Sequence, residues 1–184
     1  MARTAPHAKE GILLAARRCF AETGFRGSSL SQIARAYGGA KSSLLYHFDS
    51  KDAILQALLD PHWTELKALA GELEELDGRA ARERAIEGLA DLAVRYRDDL
   101  ALFHGELPTI LEFEHFKDAR RALDTILSAL VLGATDPAAQ MTANLLVGGI
   151  ASLCHEYPTA APELLRGVVR RVLRVTLEDV RNQG

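Results

Sequence analysis

Residues 28–51 read SSLSQIARAYGGAKSSLLYHFDSK and form the most informative segment of the chain. An apolar face at helical spacing and a capping pair, Ser29 with Gln32 three residues later, predict a first short helix. The turn Gly38–Gly39 follows, where positive φ costs little for glycine. A second short helix is predicted over 40–47. Two such helices are typical of a helix-turn-helix, whose second helix enters the DNA major groove.

Polar side chains of this stretch are candidates for DNA contact. Lys41 can reach guanine or phosphate, serines allow close approach, and tyrosine and histidine can bond phosphate oxygens. The positive end of the first short helix also suits a phosphate, although its two serines could serve only as caps. The predicted DNA-contacting residues are Ser28, Ser29, Lys41, Ser42, Ser43, Tyr46, His47 and Lys51.

Charge is distributed unevenly along the chain. Residues 1–51 hold eight Lys and Arg against three Asp and Glu, a net charge of +5, whereas the whole chain has a net charge of −3. A basic N-terminal part on an acidic body indicates that one end meets phosphates. Upstream of the short helices, a longer helix is predicted over 7–23, ended by Gly24.

An ordered motif covers about 50 residues of this N-terminal part. It reads Ile12-Leu13-x-Ala15-Ala16-x-x-x-Phe20-x-x-x-Gly24-Phe25, then Ile33-Ala34-x-x-x-Gly38, then Leu44-x-Tyr46-His47-Phe48-x-Ser50-Lys51. The motif resembles the N-terminal signature of the TetR family of transcriptional regulators. The resemblance implies a homodimeric repressor that binds a palindromic operator and releases it when a small molecule binds the C-terminal domain. It also implies DNA contacts at the residues named above.

The turn departs from the family pattern. The family usually has Gly-Val-Ser where this chain has Gly38-Gly39-Ala40. Alanine is a poor N-cap, at a cost of about 1 kcal/mol relative to serine, which favours a later start of the recognition helix with Ser42 as its cap.

The remainder of the chain predicts an all-α body. Long helical patterns run over 50–76, 79–99, 110–132, 137–156 and 161–180, with Asp136 as an N-cap and Pro61 interrupting the first. We predict about nine helices in two domains, a helix-turn-helix domain over 1–51 and an effector-binding and dimerisation domain over 52–184.

The last two helices are predicted to pair with those of a second copy. The helix over 137–156 carries small residues, and the helix over 161–180 has a wider apolar surface than one intramolecular contact requires. Both features favour an isologous four-helix bundle, although the last helix could instead be buried in its own subunit. The predicted interface residues are Ala143, Gly148, Ala151, Leu165, Val168, Val169, Val172, Val175 and Thr176.

A hydrophobic effector pocket is predicted among the middle helices. Aromatic residues at helical spacing are more often plain core, so this alternative stays open. The predicted lining is Trp63, Leu66, Leu89, Tyr96, Phe103, His104, Phe113, Phe116, Met141 and Leu145.

Other functional classes receive little support. Two distant cysteines, no secretory signal and no long apolar run indicate a cytoplasmic protein without membrane association, and no cofactor or metal site is predicted. The chain has no GxSxG, HExxH or phosphate-binding loop, which disfavours the remote alternative of an all-α enzyme. A DNA-binding activator, or a regulator controlled by a protein partner, remains an alternative to the repressor. The expected partners are double-stranded DNA, a second copy and an unknown small molecule.

Overall fold

The computed structural model of the protein describes residues 5–103 and 105–181, and this part of the chain contains helices but no β-strand. The predicted all-α class is confirmed. The helices are α1 (Ala5–Gly27), α2 (Leu30–Tyr37), α3 (Lys41–His47), α4 (Lys51–Glu74), α5 (Gly78–Arg95), α6 (Arg97–Phe103), α7 (Leu107–Ile110), a 3₁₀ helix (Glu114–Phe116), α8 (Lys117–Leu130), α9 (Pro137–Glu156) and α10 (Pro162–Arg181).

The chain forms two compact units, Met1–Pro61 and His62–Gly184. The first contains α1 to α3 and the start of α4, and the second contains the rest of α4 and α5 to α10. A domain boundary after residue 51 stays a prediction. None of the helices in the described ranges is long and apolar enough to span a bilayer.

In the first unit, α1 is kinked where the sequence predicted its end. Gly24 has φ 73° and ψ 166°, a positive φ that favours glycine but not the left-handed helical conformation. Phe25 after the kink packs edge-on against Phe20, with ring centroids 5.4 Å apart. Both rings are buried, together with Ile12 and Ile33, and they form the core on which α2 and α3 rest.

The turn between α2 and α3 is a Schellman motif. Gly38 is left-handed (φ 81°, ψ 29°), its amide donates to the Arg35 carbonyl at 3.0 Å, and the Gly39 amide donates to the Ala34 carbonyl at 3.0 Å. The two glycines form the turn as predicted, and of the two only Gly38 has positive φ.

The recognition helix α3 begins at Lys41, and the expected shift of its cap to Ser42 is wrong. Ala40 is the N-cap and supplies no side-chain cap, but its carbonyl accepts the Leu44 amide at 3.2 Å. Leu44 and Phe48 are buried and hold α3 by its apolar face, as predicted.

Two long helices predicted for the second unit are divided in the structure. The pattern over 79–99 breaks at Tyr96 (φ −111°, ψ 24°), after which the acidic first turn of α6 begins a new helix. The pattern over 110–132 is interrupted at Phe113, whose extended backbone (φ −67°, ψ 141°) cannot continue a helix. The start of α9 is as predicted, with the Asp136 carboxylate accepting the Ala139 amide at 2.9 Å.

Helix α5 lies at the centre of the second unit. A Cβ on Gly88 would lie 2.5 Å from Cδ2 of Leu69, so glycine permits the close approach of α4. Arg82 ties α5 to two other helices by donating to the carbonyls of Leu130 (2.7 Å) and Leu177 (3.3 Å). Arg174 on α10 donates to Glu83 on α5, which adds an ionic contact between these helices.

Candidate nucleic-acid interface and ligand cavity

Helix α3 presents a polar surface opposite its buried Leu44. We name Lys41, Ser42, Ser43 and Tyr46, all exposed, the α3 contact face. Tyr46 is 85% exposed, and its ring meets the half-buried His47 edge-on at 5.2 Å. An exposed side chain of this size is available to a partner molecule, because the domain does not use it for packing.

The start of α2 has the predicted capping box. The Ser29 amide donates to Oε1 of Gln32 at 2.8 Å, and Oγ of Ser29 accepts the Gln32 amide at 3.3 Å. The Ser29 hydroxyl also donates to Oε1 of Gln32 at 2.7 Å. Ser29 is exposed, but its hydroxyl proton is directed to Gln32, so a phosphate would have to compete for it.

Ser28 lies inside the domain, which contradicts its predicted role as a DNA contact. The residue is 5% exposed, and its Oγ lies within hydrogen-bonding distance of the carbonyls of Gly24 (2.8 Å) and Cys19 (3.0 Å) and of the Thr23 hydroxyl (2.7 Å). Its hydroxyl binds the kinked end of α1, and no surface remains for a phosphate.

Lys51 is also engaged within the first unit. Its Nζ donates to the carbonyls of Phe25 (2.5 Å), Ser28 (2.8 Å) and Arg26 (3.4 Å), and lies 4.4 Å from the centroid of the Phe25 ring. The ammonium therefore caps the end of α1 from the start of α4. The predicted phosphate contact by Lys51 is untested, but the three N–H groups of its ammonium already have carbonyl acceptors.

The second unit contains a cavity of about 460 Å³. Three of the predicted pocket residues line it, namely Trp63, Leu66 and Leu89. The rest of the wall comes from α4 to α6, the segment after α7, α8 and α9: His62, Leu92, Ala93, Leu100, Leu111, Glu112, Arg120, Leu123, Asp124, Leu127, Asn144, Val147, Gly148, Ile150 and Ala151.

The remaining predicted pocket residues lie elsewhere. Met141 and Leu145 are 72% and 76% exposed, so they face outward on α9. Phe103 and Phe116 are buried core residues, and the lining includes neither Tyr96 nor Phe113. His104 lies outside the described residues.

His62, which the sequence analysis missed, is buried in this wall beside Trp63. Its ring stacks on Tyr96 with centroids 4.9 Å apart, and burial lowers its pKa to about 4 against the smaller opposing influence of Glu65. The Tyr96 hydroxyl donates to Glu65 at 2.7 Å, and burial followed by this bond raises the Tyr96 pKa to about 12. A histidine next to a tryptophan within an apolar helix was the available signal.

The buried His62 predicts a loss of stability in acid. Its pKa is lowered from 6.5 to about 4 in the folded protein, so protonation favours the unfolded chain as pH falls below 6.5. We expect His62 to account for a loss of about 2 kcal/mol between about pH 7.5 and about pH 5. Urea unfolding at both pH values should show this loss.

The contribution of His62 is isolated by replacing it with glutamine, which does not titrate. His62→Gln should remove most of that pH dependence, whereas His115→Gln on the exposed surface should leave it as in the original protein. If the stability of His62→Gln fell in acid as much as that of the original protein, His62 would not be the cause of the loss.

The predicted dimer interface divides into inward and outward residues. Ala143, Ala151, Leu165 and Val169 are buried within their own subunit, so their assignment to the interface is wrong. The remaining predicted positions are exposed or half-buried: Gly148, Val168, Val172, Val175 and Thr176. Exposed residues at helical spacing form an α9 outer face of Met141, Leu145, Gly149 and Ser152 and an α10 outer face of Leu164, Val168, Arg171, Val172 and Val175, with Val168 half-buried. Gly148 is also exposed on α9 but lines the cavity.

Both cysteines are free and buried. Burial raises the pKa of the Cys19 thiol, with a smaller contribution from Glu22, and raises the Cys154 pKa to about 11. Across the described ranges, no three His, Cys, Asp or Glu side chains gather as a metal site.

Comparison with known proteins identifies the first unit. The α1–α3 arrangement with an exposed polar recognition helix defines a helix-turn-helix DNA-binding protein. The family described as "Bacterial regulatory proteins, tetR family" matches residues 12–58. The first unit therefore carries the DNA-binding domain that is characteristic of the TetR family of transcriptional regulators.

Curated relatives resemble this chain in its N-terminal part. The transcriptional regulator RutR of Escherichia coli (strain K12) is 40% identical over 72 residues, which cover 37% of this chain and 34% of RutR. The transcriptional repressor AcnR of Corynebacterium efficiens is 35% identical over 52 residues, 28% of each chain. The match thus spans about a third or less of the length of these relatives.

The fold likeness extends over nearly the whole chain. A TetR-like transcriptional regulator from Rhodococcus sp. RHA1 superposes with a TM-score of 0.64 at 19% identity, covering 97% of this chain and 98% of the other. This likeness concerns the fold alone.

Proposed function

We propose that the protein is a cytoplasmic homodimeric repressor that binds a palindromic DNA operator through α3 and releases it when a small apolar molecule occupies the cavity. The main supporting observation is the α3 contact face, a row of polar side chains that the first unit leaves exposed. The repressor AcnR, related over the same N-terminal part, agrees with the proposed sign of regulation.

The α3 contact face supports reading of the major groove. Lys41 can bond guanine or a phosphate, Ser42 and Ser43 allow the helix to approach closely, and the Tyr46 hydroxyl can donate to a phosphate oxygen. The buried Leu44 and Phe48 fix the rotation of the helix, so these groups are presented together. Ser28 and Lys51 are left out of this proposed contact set, because both are engaged inside the unit.

The two outer faces support dimerisation. The α9 outer face is uncharged, and the α10 outer face carries one charge, Arg171, among apolar residues. Exposed apolar surface of this kind marks an association site, and pairing two copies would bury it in a two-fold interface. To read a palindromic operator, such a dimer would need two α3 helices about one DNA turn apart, about 34 Å.

Removal of the α3 contact face tests DNA reading directly. The DNA site is identified first, by selecting oligonucleotides that bind the purified protein. Lys41→Ala combined with Tyr46→Ala should lower the affinity for that DNA site by about 100-fold without lowering thermal stability. Fluorescence anisotropy at fixed salt measures the affinity.

An exposed tyrosine in the second unit is the matched control. Tyr157→Ala should retain full affinity for the selected site, because Tyr157 lies between α9 and α10. Full affinity in the Lys41 and Tyr46 double variant would refute the proposed reading surface.

A further inference from the structure

The cavity wall is largely apolar. Leucine, valine, isoleucine and alanine residues supply most of it, and its volume of about 460 Å³ lies in the usual range for small-molecule sites, about 300–1,000 Å³. Such a wall favours a hydrocarbon chain or ring system, because burial of apolar surface provides most of the binding free energy.

Two buried nitrogens of the same wall have no hydrogen-bond partner. They are Nδ1 of His62 and Nε1 of Trp63, on side chains that are 5% and 6% exposed. Buried polar atoms are nearly always paired in native proteins. Solvent does not reach either nitrogen in this conformation, so a ligand in the cavity would bond them only after the two side chains adjust. The indole N–H can only donate, so the ligand must bring an acceptor.

The charges of the wall do not favour an anion. Glu112 and Asp124 outnumber Arg120, and all three are exposed on the cavity rim. His62 is neutral near pH 7, since burial lowers its pKa to about 4, and adds no positive charge. A carboxylate would lose its hydration there, and the single Arg120 would attract it against the repulsion of two acidic side chains.

We propose that this cavity binds a neutral, mainly apolar molecule with one hydrogen-bonding oxygen, such as a ketone, ester or alcohol, whose oxygen accepts the Trp63 indole N–H beside His62. The inference rests on the proposed function in treating the cavity as the effector site. It adds the chemical class of the ligand and the residue that selects it.

The chain itself provides the probe, because Trp63 is its single tryptophan. Trp63 fluorescence of the full chain is titrated with four molecules of matched length: methyl octyl ketone, decane, decanoate and decylamine. We expect the ketone to shift the emission and to bind about tenfold more tightly than decane, with decanoate and decylamine weaker than the ketone. Tighter binding of decanoate or decylamine, equal binding of ketone and decane, or no binding of any probe would overturn the proposal.

Variants identify the selecting group by calorimetry. Trp63→Phe removes the indole N–H and should reduce ketone affinity to that of decane, while decane affinity changes little. Tyr157→Phe, an exposed change away from the wall, should preserve the preference for ketone. An undiminished preference in a folded Trp63→Phe would overturn the role of the indole, and the four-probe series on the original protein stands even if the variant does not fold.

Operator release is measured separately, so the two proposals can fail separately. Ketone binding at Trp63 without release of DNA would support the ligand class and refute ligand-controlled repression. Release of DNA by decanoate but not by the ketone would support ligand control and overturn the ligand class.

Discussion

If the protein pairs through the α9 and α10 outer faces as proposed, replacing Leu145 and Val175 together by glutamate is expected to yield monomers and to weaken operator binding by about 100-fold or more. These side chains are 76% and 57% exposed in the subunit, so the charges cost little in an isolated chain. In a pair they would be buried, with two glutamates per subunit against the single Arg171 of the α10 outer face. Light scattering after gel filtration gives the mass, and anisotropy gives the operator affinity.

The same charge placed away from both outer faces is the control. Leu76→Glu, at an exposed apolar position after the end of α4, should remain dimeric and bind DNA fully. A dimeric Leu145 and Val175 double variant would contradict the assignment of the α9 and α10 outer faces as the association surface.

Lys51→Met is expected to lower the free energy of unfolding by about 1–3 kcal/mol, because three backbone carbonyls lose a charged donor. Operator affinity should also fall, since the end of α1 precedes Ser29 and the start of α2. The slope of log affinity against log salt should stay unchanged, because no phosphate contact is lost. Methionine keeps an unbranched stem that can cover the Phe25 ring, which isolates the effect of the ammonium.

Lys41→Met is the matched comparison, because Lys41 is exposed and belongs to the α3 contact face. It should retain stability and reduce the salt slope by about 0.9 if it neutralises one phosphate. If Lys51→Met instead kept its stability and reduced the slope, Lys51 would be a phosphate contact and not a positioning residue.

The helix-turn-helix could be predicted from sequence because its signals are local. The capping pair Ser29 and Gln32 and the left-handed Gly38 each depend on neighbours within a few residues, and each lies where the sequence places it. The burial of Leu44 follows from the helical spacing of apolar residues. The uses of Ser28 and Lys51 could not be predicted this way. Both depend on the path of the chain after the kink at Gly24, which brings the carbonyls of residues 25–28 to Lys51.

The sequence-based prediction exchanges some residues between the cavity wall and the outer faces. Helical periodicity indicates which residues of α9 share a face, but not which face the other helices cover. The sequence pattern therefore predicts Met141 and Leu145 in the pocket and Ala151 at the interface, whereas the structure places the first two outside and Ala151 in the cavity wall.

Buried Cys19 and Cys154 make this chain convenient for site-directed labelling. Thiol reagents attack the thiolate, and both sulfurs are shielded and hard to ionise, so a maleimide dye should ignore them. A cysteine engineered at one exposed position would then accept a single fluorophore per subunit. Distances between the two dyes of a dimer could be followed without first mutating the native sulfurs.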